Sequence, residues 1–137
     1  MRGSEREDAR VERLLHRLGR CVPEFLQYWK EERDLWTDED GRAGAHAIMA
    51  VFSHLISERL SNRRLIGMKA VFDLAEELMR DPDDEIPNAV ATCFLENIMN
   101  RVPESISPET FVDLLGPESR KFCRAWDRFC GMTTPGL

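Results

Sequence analysis

Apolar residues recur along most of the chain at three- and four-residue intervals, the spacing that puts them on one face of an α-helix. Val11, Leu14, Leu15 and Leu18 make the first such face. Ser4 and Glu7 ahead of them have capping-box spacing, in which each side chain satisfies the other's backbone N–H, and Gly19 suits the C-terminal cap. Pro23 fits the first turn of a second helix. That helix carries Phe25, Leu26 and Trp29 on its apolar face and Lys30, Glu31, Glu32, Arg33 and Asp34 on its wet one. After a polar connection, Trp36-Thr37-Asp38-Glu39-Asp40-Gly41, in which Thr37 could cap a helix start, a third helix is predicted from Ala43 to Leu60. Its small residues Ala43, Gly44, Ala45, Ala47 and Ala50 would let another helix come close.

Ser61 and Asn62 form a turn and an N-cap candidate. They lead to a fourth helix over Arg63 to Arg80 with Leu65, Met68, Val71, Phe72, Ala75, Leu78 and Met79 on a wide apolar face. Pro82 breaks it, because proline disfavours helix at the residue before it. A fifth helix runs from Asp84 to Asn100. Ser107-Pro108-Glu109 has the cap, N1 proline and early acid of a sixth helix through Phe111, Val112, Leu114 and Leu115, stopped at Gly116-Pro117. The last covers Glu118 to Cys130 with Phe122, Cys123, Trp126, Phe129 and Cys130 inward, Gly131 as its cap and Met132 to Leu137 as an extended tail.

The pattern therefore predicts an all-α fold, a single-domain irregular or orthogonal bundle of about six helices spanning residues 1–137. The expected core is Leu14, Phe25, Phe52, Leu55, Phe72, Leu78, Phe94, Leu95, Leu114, Phe122 and Trp126. Within it, the apolar helix, Asp-Pro-Asp-Asp turn and second helix at 63–100 look like a HEAT-like helix pair. A generic antiparallel pair fits the same residues, since a solenoid needs several stacked repeats.

With 42% hydrophobic and 32% charged residues in 137, the chain has a globular rather than a disordered balance. It has no apolar run of bilayer length and no apolar core in its charged N-terminus, so a cytoplasmic location without membrane contact is expected. A net charge of −6 argues against general nucleic-acid binding and suits a basic protein partner. The charge is uneven. Between residues 81 and 107, Asp81, Asp83, Asp84, Glu85, Glu96 and Glu104 face Arg101 alone.

Candidate chemistry is sparse. His16, His46 and His54 lie on separate turns or helices, and Cys21, Cys93, Cys123 and Cys130 form no Cys-x-x-Cys pair, so neither a metal site nor a disulfide is expected. Cys123 and Cys130, seven residues apart, read as core filling. No nucleophile elbow or glycine-rich phosphate loop occurs, and the apolar setting of Cys93 disfavours a reactive thiolate. The expectation is a protein with no catalytic residues, no metal and no cofactor. The acids of 81–85 read either as capping and solvating the fifth helix or as part of a docking surface for a basic partner. Trp36 reads either as packing over the start of the third helix or as a partly exposed interface anchor beside Asp38, Glu39 and Asp40.

The segments Asn88 to Asn97 and Leu115 to Asp127, with the closing Thr134-Pro-Gly-Leu137, resemble a family of small uncharacterised bacterial helical proteins. Some of its relatives resemble immunity proteins of toxin systems. The resemblance covers roughly residues 70–137 and carries no catalytic residues over. It implies an immunity- or antitoxin-like protein that neutralises a toxin by direct binding. A basic nuclease domain would be a fitting target, because a nuclease's substrate groove is basic. A HEAT-like scaffold or adaptor subunit of a larger assembly, and an enzyme or small-ligand receptor with a site between helices, are the alternatives. The expected partner-binding residues are Trp36, Asp38, Glu39, Asp40, Asp81, Asp83, Asp84 and Glu85.

Overall fold

The computed structural model describes residues 3–137, apart from the Ser4 side chain. It is all-helical, and among the described residues there is no strand. The α-helices are α1 (Gly3–Cys21), α2 (Phe25–Glu32), α3 (Ala45–Ser61), α4 (Met68–Met79), α5 (Glu85–Val90), α6 (Glu96–Met99) and α7 (Pro117–Cys130). A π-helical segment, Ala91–Leu95, joins α5 to α6 without a break, so residues 85–99 form one rod. No helix is long and apolar enough to cross a membrane.

α3 lies at the centre. It is apolar nearly all round, with Ile48, Met49, Val51, Phe52, Leu55 and Ile56 buried, and a helix of that kind has to be enclosed by others. α1, α2 and the whole rod of 85–99 pack against it, so the elements gather around one buried helix. A chain of phenylalanines ties them together. Phe25 meets Phe52 edge-on at 5.0 Å, Phe52 stacks on Phe94 at 5.6 Å, Phe94 meets Phe72 at 5.8 Å, and Phe72 stacks on Phe111 at 6.0 Å. Aromatic pairs at these separations add specific geometry to the burial of large apolar rings.

The π segment is held against α3 by a small polar bridge. The Asn97 side-chain amide donates to the Cys93 carbonyl at 2.7 Å and to Ser53 Oγ at 3.2 Å, and Ser53 Oγ donates to the Ala50 carbonyl at 2.6 Å. A carbonyl loosened by the wider helical turn is thereby satisfied inside the core.

Several boundaries differ from the sequence expectation, each for a local reason. The Ser4 side-chain cap lies outside the described residues, while the α1 helix already includes residue 4. Gly19 does not end α1. A Cβ there would stand 2.8 Å from Leu26 Cγ, so this glycine lets α2 approach. α2 starts two residues after Pro23, and Gly44 rather than Thr37 precedes α3. α4 begins at Met68, because Arg63 and Gly67 take left-handed φ of 54° and 83°, and Leu65 is consequently surface-exposed.

The expected sixth helix is two 3₁₀ turns, Pro108–Thr110 and Val112–Leu114. They are separated at Phe111, whose φ of −141° directs its ring to Phe72. Pro117 opens α7 instead of stopping the previous helix. Gly131 caps α7 as expected, with its N–H on the Arg128 carbonyl and that of Met132 on the Asp127 carbonyl, a Schellman arrangement. Beyond it the tail is folded back, not extended. Asp127 accepts from the Thr134 N–H at 2.7 Å and the Thr134 hydroxyl at 2.9 Å, and Arg124 donates to the Leu137 carbonyl at 2.7 Å.

The expected core is buried except for Leu114, Phe122 and Trp126, which are half-buried, while Phe129 is 81% exposed and Cys130 is exposed. On α7 only Ser119, Cys123 and Asp127 are buried, a stripe narrower than the apolar residues suggest. Burial pushes the Cys123 thiol up to about 12.

α7 is positioned by a carboxylate from another helix. Glu76 of α4, only 8% exposed, accepts the backbone N–H of Glu118 at 3.0 Å and of Ser119 at 2.9 Å, with Arg80 at 3.1 Å. These are orphan donors of a helix N-terminus, where negative charge is favoured. Burial pushes the Glu76 carboxyl up, but the amide hydrogen bonds and Arg80 outweigh it and hold it below its ordinary range. A Cβ on Gly116 would stand 2.6 Å from Glu76 Oε1, so only glycine leaves room for this contact.

Glu76→Ala is expected to cost about 2 kcal/mol, measured by urea unfolding, because it strands one buried and one part-buried donor. Since the folded carboxyl titrates below its unfolded value, its contribution is complete above the ordinary carboxyl range and is lost as pH falls through the folded value. Glu76→Gln should therefore flatten the acid limb of the stability profile. An unchanged limb would remove Glu76 from this role.

Candidate docking surface

The eight residues expected to bind a partner fall into two groups, which the fold treats differently. The first lies between α2 and α3. A 3₁₀ turn, Arg33–Leu35, carries the chain out of α2 to Trp36, whose ring meets His54 of α3 at 5.8 Å and is 37% exposed. One side of Trp36 packs on α3 and the rest faces solvent. Burial and the charge of Arg101 hold His54 below its ordinary range, so the imidazole beside Trp36 is neutral at neutral pH.

Beyond Trp36 the chain makes a closed turn. Asp38 N–H donates to the Arg42 carbonyl at 2.7 Å, and Gly41 N–H donates to the Asp38 carbonyl at 3.0 Å. Asp38 Oδ1 accepts the N–H of Asp40 and of Arg42, both at 2.9 Å. Gly41 supplies the left-handed φ of 75° that this turn needs. Glu39 and Asp40 stand exposed at its tip, and among the described residues Asp34, Asp38, Glu39 and Asp40 form no ion pair.

The second group, at the turn into α5, is partly engaged by the rest of the molecule, with Asp84 and Glu85 exposed. Asp83 Oδ2 accepts from Arg10 Nε at 2.7 Å, with Arg13 at 3.8 Å, and Asp83 Oδ1 accepts the Glu85 N–H at 3.2 Å. Asp81 Oδ1 accepts the Asp83 N–H at 2.9 Å, and Glu85 lies 3.6 Å from His46. Arg10 holds the Asp83 carboxyl below its usual range. Asp83 and Glu85 thus tie the start of α5 to α1 and α3, while Asp81 and Asp84 make no ion pair among the described residues.

One residue of the surface went unread in the sequence. Leu35, beside Trp36, is 81% exposed. The signal was present, since the face set by Phe25 and Trp29 continues through Arg33 and Trp36, and Leu35 falls off it.

The fold is that of an all-helical domain. Over residues 15–131 the chain matches the family model described as Domain of unknown function (DUF7674), and it belongs to that family. Among curated proteins and among solved structures, nothing matches.

Charge reversal should separate the two acidic groups. Asp83→Lys places a third cation beside Arg10 and Arg13 and is expected to cost about 1 kcal/mol in thermal unfolding, while Glu39→Lys/Asp40→Lys should stay within about 0.5 kcal/mol of the parent. Equal losses would mean that the 38–42 turn also carries structural load.

Proposed function

We propose that this chain is a protein-binding module that docks a basic partner on the loop of residues 34–42, and that it acts in the cytoplasm as an immunity- or antitoxin-like protein. The observation that carries the reading is the unpaired charge of Asp34, Asp38, Glu39 and Asp40 on a closed, hydrogen-bonded turn beside exposed Leu35 and Trp36. An apolar anchor ringed by charge is the usual anatomy of an interface. A turn already closed in the free protein loses little entropy on binding. Clustered acids would speed encounter with a basic surface such as that of a nuclease-type toxin domain. The choice of partner follows the resemblance of residues 70–137 to a family of uncharacterised helical proteins, some of whose relatives resemble immunity proteins of toxin systems. The chain carries out no catalysis in this reading.

The HEAT-like scaffold reading is favoured by one observation, the packing of α4 against α5 across the short turn at 80–84.

The test is affinity capture with the tagged protein and with Glu39→Lys/Asp40→Lys, in low and high salt, followed by co-expression with the captured partner. The expected result is one stoichiometric basic protein, lost in high salt and lost with the double variant, whose toxicity the parent protein abolishes. Capture unaffected by the double variant would remove the loop from the interface. Several salt-resistant partners without toxicity would favour the scaffold.

A further inference from the structure

We propose that the loop between α3 and α4 is a second docking site, of opposite sign to the first, which takes an acidic peptide segment of a partner protein carrying one large apolar side chain. The backbone of residues 62–67 is fixed. Asn62 N–H donates to the Glu58 carbonyl at 3.0 Å, Arg63 N–H to that of Leu60 at 3.1 Å, and Arg64 N–H to that of Arg59 at 2.8 Å, which closes the end of α3. Arg63 takes the left-handed φ of 54°, a conformation that is unfavourable for a residue with a side chain. Gly67 makes the second left-handed turn into α4.

The result is a knuckle that holds Ile66 97% exposed with Leu65 beside it. The fold gains nothing from Ile66 in that position. A partner that buried it would gain the removal of a whole apolar side chain from water.

Beside the knuckle is a concavity of about 360 Å³ lined by Glu24, Arg59, Arg63, Arg64, Leu65 and Ile66. Its cations are not equivalent. Arg59 is paired with Glu24, and Arg63 donates to Glu109 at 2.8 Å and to Ser107 Oγ at 3.2 Å. Arg64 forms no ion pair among the described residues. A carboxylate on the occupant therefore finds one guanidinium outside any ion pair, although its charge also helps hold Glu24 ionised, and it can bind that carboxylate through two parallel N–H groups, next to an apolar wall for a neighbouring side chain.

The same features disfavour a polyanion. Glu24 and Glu109 stand around the arginines, and Glu24 is held ionised by Arg59. A membrane surface or a phosphate backbone would meet those acids as well as the cations. A peptide can place one carboxylate at Arg64 and avoid them.

The experiment is fluorescence anisotropy with a short labelled peptide of glutamates around one phenylalanine, against its lysine counterpart. The parent protein is expected to bind the acidic peptide saturably and the lysine peptide not at all. Arg64→Glu and Ile66→Ser, both at exposed side chains that the fold does not use, should each weaken binding about tenfold. Glu39→Lys/Asp40→Lys should bind as the parent does, which separates this site from the acidic loop. The proposal is overturned by equal binding of the two peptides, by no binding, or by binding that neither variant changes. It is also overturned by Arg64-dependent binding to phosphatidylglycerol vesicles without binding to the peptide, which would assign the knuckle to lipid. Self-association abolished by Arg64→Glu would assign it to a second copy of the chain and overturn it equally.

Discussion

Enclosing α3 is the constraint on which the rest of the structure depends. Its apolar residues face every direction, so it cannot lie on a surface, and α1, α2 and the 85–99 rod close around it. The phenylalanine chain from Phe25 to Phe111 runs through that enclosure and links α2 to α3, α3 to the 85–99 rod, the rod to α4, and α4 to the turn before α7. α7 is then attached from outside by polar contacts, chiefly the Glu76 carboxylate on its first turn. The core thus depends on packing, and the outermost helix depends on a buried charge that must stay ionised.

The same constraint places the two exposed loops. Each leads the chain into or out of α3, and neither can be buried, because α3 itself takes up the interior. The acidic turn of 38–42 precedes the N-terminus of α3, and the arginines of 59–64 follow toward its C-terminus. Both signs complement the helix dipole. Part of this charge arrangement therefore serves the fold. What it leaves over, the unpaired acids beside Leu35 and Trp36 and the free Arg64 beside Ile66, is what the fold does not use.

Much of this was legible in the sequence. The helical period found the elements, and eight of the eleven expected core side chains, Leu14 through Leu95, are buried. Gly131 and the packing of Trp29 also stand as read. The misses come from what periodicity does not encode. Gly67 and Arg63 start α4 late through left-handed backbone, Phe111 breaks a helix to reach Phe72, and Phe129 and Cys130 lie off the narrow buried stripe of α7. That Asp83 is paired could not be read in one dimension, because Arg10 and Arg13 reach it only across the fold, from about seventy residues away. The turn at 38–42 keeps its charge because no such cation arrives.

The central claim is that the loop of 34–42 is where a partner docks. Hydrogen–deuterium exchange of the chain alone and in complex with its captured partner tests it most directly. Slowed exchange confined to residues 34–42 and the adjoining face of α3 is the predicted result. Slowed exchange over the 81–85 turn, with residues 34–42 unchanged, would contradict it.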